Sequence, residues 1–444
     1  MIRKIEVSGF KTLSDFVMEL KPGLDILVGP NGSGKTNIIS FFEFLGLLQD
    51  MNVSDAVSSA GGAGSVFRKT GEESYETYIA AKITGSVRVR SRQYIYYKYS
   101  FKIHIPESGE SIVYSSQRLI VKLRTTDSID EKRMGNYDLD VEKVIDDDLK
   151  PKVNVRACTM KVVAGSPFYR RRRTRRPENY GKRIEQALEG DIPSDQCIIG
   201  VMRLMVRSWL WPISADIRGG QVYNIEPSRA KTPDDSAKKP GVSKDGSGLY
   251  STLYAIKKRE EYGPKRPYSF EYDVDDLSDA KLADILKYTQ LANEWISDIE
   301  ITNNPFDKQL QIRVSVAGGK KPSVLPLSAM SDGTVKWISL ITIILTNPTM
   351  FSIEEPENYL HPLMLSEIIS IMRTHMRKDR FVLMSTHSET LINSATPDEI
   401  VVVSYVKGKT RAKRISNAEE LSREIRNTGF GLGYYYISGS FDHV

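Results

Sequence analysis

The sequence predicts an α/β fold: a strand–turn–helix core, a lobe of antiparallel strands, and a helical insertion in the middle of the chain. Three stretches carry this prediction. Residues 26–41, ILVGPNGSGKTNIISF, place a glycine-rich turn between an apolar strand and an apolar helix. Residues 75–123 alternate apolar and polar positions and are rich in β-branched and aromatic side chains, the pattern of half-buried strands. Residues 351–362, FSIEEPENYLHP, run a short apolar strand into the carboxylates Glu354, Glu355 and Glu357.

Length and composition bound the answer. A chain of 444 residues is long enough for two to four domains. Its apolar fraction of 40% and charged fraction of 27% are those of ordinary globular proteins. The longest strongly apolar run, Trp337 to Leu345, is too short to span a bilayer, and MIRKIEVSGF lacks a signal-peptide core. The expectation is a cytoplasmic protein with no membrane partner. Cys158 and Cys197 are far apart and have no metal-site spacing, which argues against a disulfide scaffold and a zinc site. The net charge of +6 is mild, but six arginines fall within Arg170–Arg176.

The first motif is Gly29 to Thr36, which fits G-x-x-x-x-G-K-[ST] at every fixed position. A predicted strand (Leu24–Val28) precedes it and a predicted helix (Thr36–Leu48) follows. Glycines let successive N–H groups curl around a phosphate, and the helix N-terminus adds partial positive charge. Candidate nucleotide-binding residues are therefore Gly29, Asn31, Gly32, Ser33, Gly34, Lys35 and Thr36. Lys35 would bridge the β- and γ-phosphates of ATP, and the Thr36 hydroxyl would ligate Mg²⁺.

The carboxylates then acquire a role. Like charges half-buried together raise one another's pKa, so a fold tolerates them where a cation sits among them. Met350–Ile353 reads as a buried strand ended by Glu354, which would sit near Mg²⁺. Glu355 would polarise the attacking water. The plainer reading is a set of solvated acids on a loop.

Two more stretches follow the same logic. Leu327-Ser-Ala-Met-Ser-Asp-Gly-Thr334 precedes an apolar helix, Val335–Leu345. Ser331 and Gly333 at its start make an anion-binding end, although Ser-Asp-Gly is also a good turn and N-cap. Phe381-Val-Leu-Met-Ser-Thr-His387 reads as a buried strand with a polar tip. A helix over Pro362–Lys378 fills the gap before it.

Taken in chain order, phosphate loop, Ser-Asp-Gly, Glu-Glu-Pro-Glu-Asn-x-Leu-His-Pro and Ser-Thr-His, the four motifs resemble ATP-binding-cassette ATPases of the RecF, SMC and OLD group, most of all the soluble branch found in prokaryotic anti-phage defence. The resemblance rests on residues 1–50 and 322–405 and is vague between them. It implies a P-loop NTPase of ABC-ATPase type whose head is built from the N- and C-terminal halves. It implies a signature at Ser331 to Gly333, a Walker B pair at Glu354 and Glu355, a D-loop over Asn358 to His361, and a switch role for His387. Glu354 stands where an aspartate is commoner in the family. The Q-loop glutamine stays open between Gln93 and Gln117.

The division expected along the chain is an ATPase half with the β-lobe over 1–165, a basic and helical insertion over 166–298, and the second ATPase half over 299–444. Residues 124–182 read as charged and irregular, and 183–211 as helical. Residues 226–248 form a polar loop, followed by helices at Leu249–Glu261 and Ser278–Ser297. Strands at Ile299–Thr302 and Gln309–Val316 lead into the signature. No sustained heptads occur, so no coiled-coil arm is expected. The chain stops about 40 residues after the last predicted sheet strand. OLD nucleases carry a Toprim domain there, so the expectation is a separate effector polypeptide, a nuclease among the candidates.

Two functions fit. One is a defence ATPase, a homodimer or higher homo-oligomer that holds, releases or activates that effector; the ATPase subunits of PARIS and Septu systems are the nearest analogues. The other is a RecF-like clamp on DNA. A transporter ATPase is disfavoured because the halves are split. The arginine run Arg170–Arg176 reads as a nucleic-acid contact, as a contact for an acidic protein, or as a solvated loop.

Overall fold

The computed structural model describes residues 1–444 except 91–92, 108–110, 125–138, 146–149, 159–181, 183–184, 187, 190–192, 206, 219, 263–280, 305, 319–321, 348–349, 377–379 and 440–444. The arginine run therefore lies outside the described residues. The strands are β1 (Ile2–Ser8), β2 (Phe16–Glu19), β3 (Gly23–Val28), β4 (Tyr78–Arg90), β5 (Gln93–His104), β6 (Val113–Arg124), β7 (Leu139–Ile145), β8 (Pro151–Cys158), β9 (Gln221–Tyr223), β10 (Ile296–Asn304), β11 (Gln309–Val316), β12 (Ser323–Pro326), β13 (Phe351–Glu354), β14 (Phe381–Ser385), β15 (Ile400–Val406) and β16 (Lys409–Arg414). Three helices matter most for the site: α1 (Lys35–Asp50), α2 (Asp332–Thr346) and α3 (Pro362–His375).

The chain divides into two compact units. The first comprises Met1–Pro22, Gly29–Gln221 and Val402–Lys413. Its main element is a seven-stranded antiparallel sheet in the order β2-β1-β4-β5-β6-β7-β8. The alternating sequence of 75–123 folds as expected into β4, β5 and β6. Residues 124–182, expected to be irregular, contain β7 and β8 as well. Inward charges hid β7: Asp140 and Lys143 are buried, at 3% and 2% exposure. Arg118 pairs with Asp140 at 2.9 Å. Burial lowers the Lys143 pKa to about 8. The aromatic rings of α1 close on Phe10, which lies 5.4 Å from both Phe41 and Phe44.

The second unit comprises Gly23–Val28, Val222–Val401 and Arg414–Val444. Its heart is a run of parallel strands, with β14 paired to β3 on one side and to β13 on the other. A strand from the start of the chain thus lies beside strands from its last hundred residues, as the split α/β head requires. Their sequences, LDILV, FSIE and FVLMS, are nearly continuous apolar runs, which parallel strands covered on both faces need. Asp25 on β3 is fully buried and paired with the Arg414 guanidinium. A separate antiparallel sheet, β10-β11-β12, completes this unit. The helix expected over Ser278–Ser297 ends at Ala292, because Asn293 caps it in an extended conformation and β10 begins at Ile296.

Helix α2 is buried on every side from Thr334 to Ile344. Its polar residues fit because they bond locally: the Ser339 hydroxyl donates to the Val335 carbonyl at 2.9 Å and Thr342 to Ile338 at 2.8 Å. Among the described residues no helix is long and apolar enough to cross a membrane.

Candidate functional site

The glycine-rich loop follows β3 without a break: Val28 ends the strand and Gly34 is the N-cap of α1. Gly34 has φ of 102°, and a Cβ there would lie 2.0 Å from the Thr410 hydroxyl oxygen. Both facts demand glycine. The Lys35 ammonium is nearly buried and donates to the carbonyls of Gly29 at 2.7 Å and Pro30 at 3.1 Å. It ties down the start of the loop, and the Ser33 N–H closes the same turn by donating to the Pro30 carbonyl at 3.2 Å. Ser33 is buried, and its hydroxyl has no hydrogen-bond partner. A buried donor left unsatisfied is costly, and an anion in the loop would satisfy it. Asn31 and Thr36 are exposed.

The carboxylates separate into different environments at the end of β13. Glu354 ends the strand, half-buried. Glu355 then turns the chain with φ of 44°, a left-handed conformation that ordinary residues avoid. The turn is held by its own N–H, which donates to the Ser385 carbonyl at 3.0 Å. The Glu355 side chain is 47% exposed, accepts from the Asn358 amide at 3.2 Å, and stands 3.9 Å from the His387 Nε2. The structure thus brings Glu355 and His387 together. Glu357 does different work: one oxygen accepts from the Thr386 hydroxyl at 2.9 Å and from the His387 N–H at 2.7 Å. Its other oxygen is buried without a hydrogen bond. Glu355 therefore combines a left-handed backbone with a carboxylate held by Asn358.

The predicted signature caps α2. The Ser331 hydroxyl accepts from the Thr334 N–H at 3.3 Å, and Asp332 pairs with Lys231 at 2.7 Å. Gly333 is needed for a second reason: a Cβ there would lie 2.7 Å from the carbonyl oxygen of Tyr359. The start of α2 and the turn 355–359, whose Tyr359 also has positive φ at 69°, pack directly on one another.

Two sets of residues escaped the sequence reading. Lys336 is 1% exposed within α2; its ammonium donates to the Glu355 carbonyl at 3.4 Å and lies 5.6 Å from the Tyr359 ring centre. Burial lowers its pKa to about 8, against the opposing pull of Glu357 and Glu355. A lysine inside an otherwise apolar helix was the available signal. The other set is Thr12 and Thr410, whose signal is three-dimensional. Of the two Q-loop candidates, Gln117 is buried and committed, accepting from the Tyr99 hydroxyl at 2.7 Å and the Ile198 N–H at 3.0 Å while donating to the Gln196 carbonyl at 2.9 Å. The side chain of Gln93 lies outside the described residues.

Comparison with known proteins adds two family models. Residues 1–154 match the model described as AAA ATPase domain, and residues 223–393 match AAA domain, putative AbiEii toxin, Type IV TA system. The first contains the glycine-rich loop; the second contains Ser331, the carboxylates and His387. The chain is thus an ATPase and binds a nucleotide. It is also similar to the DNA replication and repair protein RecF of Beutenbergia cavernae, with 36% identity over 53 residues. That stretch is 12% of this chain and only 13% of the RecF. Among solved structures, an SMC head bound to the C-winged helix domain of ScpA superposes with a TM-score of 0.49 at 13% identity, covering 94% of this chain and 99% of that one. The SMC head domain from Thermotoga maritima gives 0.41 at 11% identity, with the same coverage.

Proposed function

We propose that this ATPase binds ATP with Mg²⁺ at Gly29–Thr36 and uses the ATP cycle to join and part copies of itself, thereby holding, releasing or activating a separate effector in anti-phage defence. One observation carries the catalytic part. The strands β3, β14 and β13 are parallel neighbours, so their carboxyl ends lie on one edge of the sheet. Ligands of such sheets bind beyond that edge. Gly29 follows the first strand, Thr386 and His387 the second, and Glu355 the third.

The roles follow from chemistry. Loop amides, the Ser33 hydroxyl and Lys35 take the phosphates. Thr36 and Glu354 are the residues that would hold Mg²⁺, which would offset the phosphate charge. Such an ion needs only one or two carboxylates because phosphate oxygens and water supply the rest. Glu355, exposed and held by Asn358, orients and deprotonates the attacking water. His387, whose N–H is fixed by Glu357, would sense the γ-phosphate.

Ser331 and Gly333 serve the ATP of a second copy, so that two nucleotides link two heads. Loss of the γ-phosphate removes the link, a population shift driven by differential affinity. The description of the matched model as a toxin of a type IV TA system supports a component that works with a second polypeptide. The test of the defence role is phage challenge of a host carrying the native locus. Parent cells should survive, and cells with Glu355→Gln should not; equal survival rejects the role. The short match to RecF supports a second reading, a DNA clamp. ATP-dependent retention of duplex DNA by the purified chain alone would favour it.

A further inference from the structure

We propose that Thr410, far along the chain from the glycine-rich loop, is a positioning residue for the nucleotide: its hydroxyl sets the direction of the Ser33–Gly34 peptide and thereby aims the Gly34 N–H at a phosphate. The proposal rests on the reading of Gly29–Thr36 as the phosphate loop, and it adds a residue that no motif contains.

Thr410 lies in the hairpin of β15 and β16. The hairpin turns at Lys407 and Gly408, both left-handed, with φ of 50° and 76°, as a tight two-residue turn requires. The hairpin is fastened to residues 12–15. The Thr410 N–H donates to the Thr12 carbonyl at 3.0 Å, Lys409 pairs with Asp15 at 2.6 Å, and Arg411 donates to the carbonyls of Ser14 at 3.0 Å and Asp15 at 2.8 Å. Thr410 is fully buried beneath this frame.

Its hydroxyl donates to the Ser33 carbonyl at 3.1 Å and lies 2.6 Å from the Thr12 hydroxyl. A threonine has one hydroxyl proton. That proton is spent on Ser33, so Thr12 donates to Thr410. Thr12 in turn accepts from the Asn37 amide at 2.7 Å. The result is a one-way chain, Asn37 to Thr12 to Thr410 to Ser33, in which each bond polarises the next. It begins on α1 and ends inside the loop.

The peptide plane supplies the link to function. In a trans peptide the carbonyl and the following N–H point in opposite directions. Holding the Ser33 carbonyl on Thr410 turns the Gly34 N–H away from the hairpin, into the hollow of the loop. The fit has no slack, because even a methyl-sized addition at Gly34 meets Thr410.

The experiment compares the full-length parent with Thr410→Val, Thr410→Ser and Lys35→Ala. ATP and ADP affinities are measured by titration calorimetry, KM and kcat by phosphate release, and folding by thermal unfolding. Valine keeps the shape and removes the hydroxyl. It should weaken ATP and ADP binding about tenfold and raise KM with little change in kcat, the mark of lost uniform binding. Serine should restore affinity to within about twofold. A valine variant that binds both nucleotides like the parent, while Lys35→Ala binds neither, overturns the role of Thr410 and leaves the loop assignment standing. Equal losses in the valine and serine variants also overturn it, since packing and not the hydroxyl would then matter. If Lys35→Ala binds like the parent, the loop assignment falls and this proposal with it. Should Thr410→Val fail to fold, Thr12→Val cuts the same chain one step earlier; about a threefold loss is expected, and an unchanged affinity counts against the proposal.

Discussion

Replacing Lys336 with methionine should make the protein more stable and a poorer ATPase. The lysine is buried in α2, and folding lowers its pKa from 10.5 to about 8. At 1.36 kcal/mol per pKa unit, keeping it charged costs up to about 3 kcal/mol. The sign follows from proton counting. Between about pH 8 and 10.5 the unfolded chain binds more protons than the folded one, so the lysine's contribution to stability improves as pH rises through that window. Below pH 8 the full cost applies. Methionine fills a similar volume without charge. The variant should therefore gain about 1–3 kcal/mol at pH 7, and the gain should shrink towards pH 10. Denaturant unfolding at pH 7 and pH 9.5 measures both. Turnover should fall, because the Glu355 carbonyl loses its donor and the left-handed turn that carries the Glu355 carboxylate is less tightly held. A methionine variant less stable than the parent at pH 7 would mean that the contacts to Glu355 and Tyr359 outweigh the burial of charge.

Three further outcomes are expected. Lys35→Ala should abolish ATP binding in calorimetry, because the phosphate charge loses its main partner. Gly333→Ala should cost about 1–3 kcal/mol in denaturant unfolding, since its Cβ would meet the Tyr359 carbonyl at 2.7 Å; an unchanged stability would show that the turn can yield. Replacing the six arginines of Arg170–Arg176 with serine should remove salt-sensitive binding to DNA or to an acidic protein and leave ATP turnover intact, and unchanged binding over a salt series would make the run a solvated loop.

What could be read from sequence was whatever local spacing encodes. The glycine-rich loop, the apolar strand into Glu354, the Ser331 cap and the strands β4 to β6 each lie within a dozen or so residues, and their patterns follow from backbone geometry. The strand β7 was not legible because charged residues broke the alternation: Asp140 and Lys143 hold inward positions. The role of Glu357 was also hidden. It stood in the same carboxylate cluster as Glu355, yet it holds the Thr386 hydroxyl and the His387 N–H, and nothing in EEPEN separates the two functions. The docking of Thr410 on Thr12 and Ser33 joins residues from opposite ends of the chain, and no local pattern records such a contact.

In the proposed cycle ATP joins two copies of the chain. Ser331 is exposed at the start of α2, available to a second molecule, so Ser331→Arg should still bind ATP but remain a single copy. Glu355→Gln retains the length of the side chain and removes the base. The most direct measurement is the solution mass of Glu355→Gln by light scattering, with and without ATP and Mg²⁺. The mass should double when ATP is added and return when ATP is exchanged for ADP. The same mass in all three conditions, with ATP bound, would contradict that cycle.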